Sequence, residues 1–193
     1  KDIETNKYDI VTIGAQVWMA ENLRVTRYND GTPIDLITLD AGWATIFFPA
    51  YTWYDNSASD YGALYNYYVV ADTNSRNVCP TGWHVPSEAE WMNLTNFLGG
   101  ISVAGGKMKE SGLAHWNEPN SAATNVSGFT GLPGGFRSKS GSFFALGDKG
   151  SWWSSTGGSG EFAKLTEIFH DGETVSHTNL EKKSGYSVRC LRD

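Results

Sequence analysis

The chain has 193 residues, 40% hydrophobic and 19% charged, which is enough apolar material for one globular core and too little for two comfortable ones. A formal net charge of -6, with Lys and Arg scattered rather than gathered into a stripe, gives no electrostatic reason to bind a phosphate backbone, and nucleic acid is not expected as a partner. No apolar run approaches the roughly 20 residues of a membrane-spanning helix, and Lys1 opens into polar sequence without a signal-peptide pattern.

In chain order, Tyr8 to Met19 alternates like a β-hairpin, with Ile10, Val11, Ile13, Val17 and Trp18 as strand formers and the turn at Gly14-Ala15-Gln16. Asn29-Asp30-Gly31 with Pro33 closes the next turn, and Asp55-Asn56-Ser57 followed by Ser59-Asp60 marks another loop. From Tyr61 to Ala71 the length permits a helix while the β-branched and aromatic content favours a strand, and both readings stay open. A helix starts after Pro86. Ser87 is its N-cap and Glu90 stands three residues on, so each side chain can satisfy the other's free backbone N–H. Trp91, Leu94 and Leu98 then share one face, and Gly99-Gly100 stops the helix after about three turns.

From Gly105 to Gly160 the chain is rich in Gly, Ser and Asn, with apolar spots at Phe129, Leu132, Phe136, Phe143, Phe144, Leu146, Trp152 and Trp153. It reads as loop-dominated structure between short strands. Residues 157 to 183 suit a two-strand hairpin turning at Asp171-Gly172, and Tyr186 to Leu191 closes the chain as an apolar strand carrying Cys190. The 8 Trp, 9 Tyr, 9 Phe and 22 Gly suit many short strands and tight turns, with most rings in the core and a minority left for a ligand.

Cys79 and Cys190 are the only cysteines, too far apart for a local zinc knuckle or a redox CxxC. Either they are bridged, which would imply an oxidising compartment, or they are two unrelated buried thiols.

Several blocks together resemble the family called the Fibrobacter succinogenes major paralogous domain. They are Val17-Trp18-Met19-Ala20-Glu21-Asn22-Leu23-Arg24, Tyr28-Asn29-Asp30-Gly31, Tyr61-Gly62-Ala63-Leu64-Tyr65-Asn66 and Cys79-Pro80-Thr81-Gly82-Trp83-His84-Val85-Pro86-Ser87. Further on come Ala123-Thr124-Asn125, Gly128-Phe129, Leu132-Pro133-Gly134-Gly135-Phe136-Arg137, Trp152-Trp153-Ser154-Ser155-Thr156 and Ser187-Val188-Arg189-Cys190. The resemblance covers nearly the whole chain. It implies an α+β, C-type-lectin-like fold over residues 1–193 as one domain, with paired N- and C-terminal strands, helices flanking a small antiparallel sheet, and a long loop region. It also implies a Cys79–Cys190 disulfide and an extracellular or bacterial cell-surface location, with the export segment and any lipid anchor outside these residues.

Glu118-Pro119-Asn120 reproduces the tripeptide with which calcium-dependent lectins hold calcium and sugar hydroxyls. Calcium needs six to eight oxygens, however, and the second, Trp-Asn-Asp segment of those lectins is replaced by Trp152-Trp153-Ser154. The tripeptide is therefore read as an ordinary proline turn and no cofactor is expected, calcium being the one ion with any motif behind it. Val85 to Trp91 and Val188-Arg189-Cys190 are similar to segments of formylglycine-generating enzymes. Those oxidases need two nearby active-site cysteines, and here only Cys190 lies near the C-terminus. His84, His115, His170 and His177 have no metal-ligand spacing, and no GxSxG elbow, phosphate loop or dinucleotide fingerprint occurs.

The expectation is a non-catalytic binding module that presents the 157–183 surface to a glycan or an extracellular protein. Trp153, Phe162, Lys164, Phe169 and His177 are the expected contact residues, since exposed aromatics supply area and mixed polar groups supply direction. An ordinary polar hairpin would look the same. The alternatives are a structural subunit of a surface assembly, marked by an apolar patch or edge strand that a neighbour covers, and a lectin-fold oxidase or hydrolase, marked by a deep pocket with a shifted pKa or a metal.

Overall fold

Apolar–polar alternation on either side of Gly14 produces the N-terminal hairpin as expected, β1 (Ile10–Ile13) and β2 (Gln16–Met19), with Ile13 opposite Gln16. The computed structural model describes residues 1–71 and 76–193. After the hairpin come β3 (Asp35–Leu36), α1 (Asp40–Thr45), β4 (Ala50–Thr52), β5 (Leu64–Tyr65) and the single turn α2 (Tyr67–Val70). Residues 61–71 thus hold both a strand and a helix, with Asn66 at the join, its side chain bonded to the backbone of Ala50 and Phe48.

Next stand β6 (Trp83–His84), α3 (Glu88–Phe97) and α4 (Ile101–Met108). Ser87 caps α3 reciprocally with Glu90, its Oγ accepting from the Glu90 N–H at 3.3 Å while the Glu90 carboxylate accepts from the Ser87 N–H at 2.7 Å. Trp91, Leu94 and Leu98 are buried as expected, and the helix gives way at Gly99-Gly100. The remaining elements are β7 (Gly134–Arg137), β8 (Phe143–Leu146), β9 (Lys149–Gly157), β10 (Phe162–Phe169), β11 (Val175–Glu181) and β12 (Leu191–Arg192).

Two expectations for the C-terminal half need correction. Gly105 and Gly106 are not loop residues but lie inside α4, where an added Cβ would stand 2.5 Å from the Thr174 carbonyl and 2.5 Å from the Ala122 carbonyl respectively. Their missing side chains serve close approach to neighbouring backbone rather than a turn. The closing strand is also shorter than Tyr186 to Leu191. Gly185, Tyr186 and Ser187 make isolated bridges to Arg137, Tyr65 and Trp152, and only Leu191–Arg192 forms a ladder.

β12 pairs antiparallel with β2, Leu191 opposite Trp18, and β6 pairs on its other side, so the hairpin and the chain's end share one sheet in the order β1-β2-β12-β6. Cys79 and Cys190 are disulfide-bonded and fully buried. β9, β10 and β11 form a second sheet with β10 in the middle, and β7–β8 is a separate two-stranded ribbon.

The side-chain period of two decides how the cores are filled. Trp152 and Trp153 are adjacent on β9, point to opposite faces, and are both fully buried. On one face Trp153, Ala163 and Leu165 pack with Met19, Leu23, Tyr65, Tyr186 and the disulfide. On the other, Trp152 and Ile168 pack with Trp18, Trp91, Leu94 and Phe129 beneath the two helices. The α+β class follows, with the β9–β11 sheet as the wall between two aromatic cores.

Three buried cations tie loops to this frame. Arg137 lies between Trp43 and Phe143, 4.8 Å from each ring, and donates to the Ile37, Thr38 and Gly141 carbonyls and to the Asp40 carboxylate. Arg189 donates to Asn22 Oδ1 and to the carbonyls of Phe129 and Thr130. Lys109 donates to the carbonyls of Ser121, Phe169 and Gly172, which fastens the end of α4 to the turn between β10 and β11.

Candidate functional site

The expected hairpin exists as β10 and β11, paired without a break from Phe162 opposite Glu181 to Ile168 opposite Val175, with its turn across Asp171-Gly172. Its five expected contact residues do not converge. Trp153 is wholly buried, its Nε1 donating to the Tyr65 carbonyl at 2.7 Å, so it cannot offer a surface ring. That expectation is corrected: adjacent tryptophans on a strand covered on both faces each fill a core.

Phe162 is exposed and Lys164 is paired with Glu88 of α3 at 3.0 Å, both on the helix-bearing face. His177 is on that face too, half-buried between the hydroxyls of Thr95 and Thr166 at 3.2 and 3.1 Å, and burial holds its pKa below the ordinary histidine value. Phe169 points to the opposite face at the far end of β10, about 23 Å from Phe162 at a strand's rise per residue.

Phe169 instead neighbours a cleft that the sequence did not single out. The cleft, of about 370 Å³, lies between the β7–β8 ribbon and the β9–β11 sheet and is lined by Phe136, Lys149, Leu180, Tyr186 and three serines, among others. Phe136 stacks on Tyr186 with ring centres 5.4 Å apart, and Tyr186 stands edge-on to the buried Trp153 at 4.9 Å, so the aromatic floor is braced from the core. At one end Lys149 bonds Glu167 at 2.6 Å and sits 4.5 Å from the Phe136 ring centre and 5.9 Å from that of Phe169. At the other, Lys139 bonds Glu181 at 2.9 Å. The hydrogen bond from Lys139 holds Glu181 below the usual carboxylate range, and the same bond holds Lys139 above the usual lysine value. Ser138, Ser140 and Ser184 complete the lining, the hydroxyls of Ser138 and Ser140 bonded to each other at 2.8 Å.

Such a lining offers paired donors and acceptors around an apolar floor, which suits a polar, neutral ligand better than a net ion. Its residues are spread from position 136 to 186, and only the topology gathers them. The sequence marked Phe136 only as one apolar spot in a loop-dominated stretch, with nothing to tie it to Lys149 or Tyr186.

The other sequence candidates are placed as follows. The Asn120 side-chain NH₂ donates to the carbonyls of Glu110 and Gly112 at 3.0 and 2.6 Å, and the Glu118 carbonyl accepts from His170 Nδ1, so the Glu118-Pro119-Asn120 turn is part of the loop scaffold. Among the described residues no three His, Cys, Asp or Glu side chains gather as a metal group, and no helix is long and apolar enough to cross a membrane. His84 bridges the carboxylates of Asp193 and Glu90 at 2.7 and 3.0 Å, joining β12 to the α3 cap.

The model of the Fibrobacter succinogenes major domain matches residues 11–192. No curated protein and no solved structure matches the chain.

Proposed function

Since the chain belongs to the Fibrobacter succinogenes major domain family, we propose that it is a non-catalytic binding module of the bacterial cell surface, with a C-type-lectin-like arrangement of chain ends and loops. Its ligand is a glycan or an extracellular protein, received in the cleft between the β7–β8 ribbon and the β9–β11 sheet. The carrying observation is the braced floor of Phe136 and Tyr186, flanked by the Lys149–Glu167 and Lys139–Glu181 pairs. Rings give contact area at little entropic cost, and fixed ion pairs with hydroxyls give direction. The lectin-like part of the reading is supported by β12 lying against the N-terminal hairpin and by the disulfide beside it. The disulfide also suits an oxidising, extracytoplasmic setting.

The test is a screen of the whole chain against glycan arrays and extracellular proteins, followed by Lys139→Glu and Ser140→Trp at the cleft mouth. Both are expected to weaken a captured ligand at least tenfold, while Phe162→Ala on the other face leaves it unchanged. Equal binding by all three variants would remove the cleft as the site.

A further inference from the structure

Asp171-Gly172 is the tip of the turn between β10 and β11, and the chain on either side of Asp171 is fastened to α4. Lys109 Nζ donates to the carbonyl of Phe169 at 3.0 Å and to that of Gly172 at 2.8 Å. Just beyond, the Gly106 N–H donates to the Glu173 carbonyl. Between these anchors Asp171 is exposed, and among the described residues neither its carboxylate nor the Gly172 N–H has a hydrogen-bond partner.

The chain has one other Asp-Gly pair, Asp30-Gly31, and no Asn-Gly. There both of the corresponding groups are occupied. The Thr32 N–H donates to Asp30 Oδ1 at 2.8 Å, and the Gly31 N–H donates to the Tyr28 carbonyl at 2.9 Å. The bond from Thr32 also holds the Asp30 carboxyl below the ordinary aspartate value.

In an Asp-Gly pair no Cβ on the second residue hinders its nitrogen from reaching the carboxyl carbon of the first. We infer that Asp171 is this protein's site of isoaspartate formation, and that Lys109 is the group through which the change reaches the fold. The Gly172 nitrogen bonds to Asp171 Cγ, the Cγ–OH bond breaks, and the hydroxyl leaves as water with the amide proton. Water then opens the cyclic imide at the Asp171 α-carbonyl. The chain now runs on through Cβ and Cγ, the α-carbon bears the free carboxyl, and the water lost has been regained. The backbone between Phe169 and Gly172 is longer by one carbon. Lys109 is fully buried and donates to the carbonyls of Ser121, Phe169 and Gly172, so the longer turn moves an acceptor away from a cation with no solvent to replace it. The inference stands apart from the ligand reading, since neither Asp171 nor Lys109 lines the cleft.

The test keeps the intact protein folded in warm neutral buffer for several weeks, then maps its peptides with fragmentation that tells isoaspartate from aspartate. Isoaspartate is expected at position 171, and at about a tenth of that level or less at position 30, where a hydrogen bond to a charged group must first break. In denaturing urea, which removes that protection, the two positions are expected to react at similar rates. Gly172→Ala places a Cβ near only Thr174 Oγ1, at 3.9 Å, so it is expected to fold normally. It should slow the reaction at 171 about tenfold or more, because the added Cβ crowds the attacking nitrogen. The isoaspartate-bearing fraction, separated from the rest, is expected to unfold at lower urea than fresh protein, a difference that Lys109→Met removes. Isoaspartate no more abundant at 171 than at 30 in the folded chain, or an isoaspartate form as stable as the fresh one, would overturn the inference.

Discussion

The guanidinium of Arg189 lies 4.1 Å from the centre of the Phe129 ring and also donates to the Phe129 carbonyl, so one residue holds another by both its ring and its backbone. Burial pushes Arg189 down to about 9, against a weak opposing pull from Glu21. Neutral acceptors, chiefly Asn22 Oδ1, support the charge. Arg189→Met is expected to destabilise the protein by about 2–4 kcal/mol, because several buried acceptors lose their donor at about 1–3 kcal/mol each. Urea unfolding, read as a lower midpoint at unchanged slope, checks this.

His84 gives a pH dependence of definite sign. Burial disfavours its charge, but hydrogen bonds to Asp193 and Glu90 outweigh that and hold its pKa above the ordinary 6.5. The stabilisation is therefore complete below pH 6.5 and disappears as pH rises through the higher folded value. His84→Gln is expected to lower the melting temperature at pH 5.5 and to leave it nearly unchanged at pH 9.

Lys109 behaves in the opposite sense. Burial lowers it from 10.5 to about 8, with Asp171 and Glu173 pulling weakly the other way. Between those two pH values the unfolded chain holds a proton that the folded chain has released, so stability rises with pH in that window. The difference in stability between the unsubstituted protein and Lys109→Met should grow in favour of the former from pH 8 to pH 10, measured by chemical unfolding at each pH.

The disulfide spans a separation of 111 residues. Replacing both cysteines with alanine is expected to cost about 4–5 kcal/mol on the loop-entropy model. A loss under about 1 kcal/mol in thermal unfolding would mean that the surrounding packing already constrains the unfolded chain there.

Gly135 has φ +60°, and a Cβ on it would collide with the Phe144 carbonyl and stand 2.8 Å from Leu146 N. Gly135→Ala therefore strains the backbone and pries the β7–β8 ribbon apart at the cleft wall. It should cost about 1–3 kcal/mol and raise amide exchange at Phe136 and Phe144 before exchange rises elsewhere.

What could be read from the sequence was what is local. The Ser87–Glu90 cap, the turn at Gly14-Ala15 and the β10–β11 hairpin each depend on a few neighbouring residues, and each is present. The Cys79–Cys190 bond followed from family resemblance, since spacing left the two thiols undecided. Trp153 was misplaced because a sequence does not say that both faces of its strand are covered. Gly105 and Gly106 looked like loop because a glycine that admits a passing carbonyl is written like one that bends the chain. The cleft was invisible since Phe136, Lys149, Glu167 and Tyr186 meet only after three separate segments have packed.

Cys190 immediately precedes β12, a strand of two residues. A tug on the carboxyl end would peel off Leu191 to Asp193, some 10 Å of slack at full extension, and then stop at sulfur. From there the load would pass across the molecule to Cys79, just ahead of β6, without stretching the polypeptide enclosed between them. Under traction the domain would act as a short leash rather than an unwinding spool.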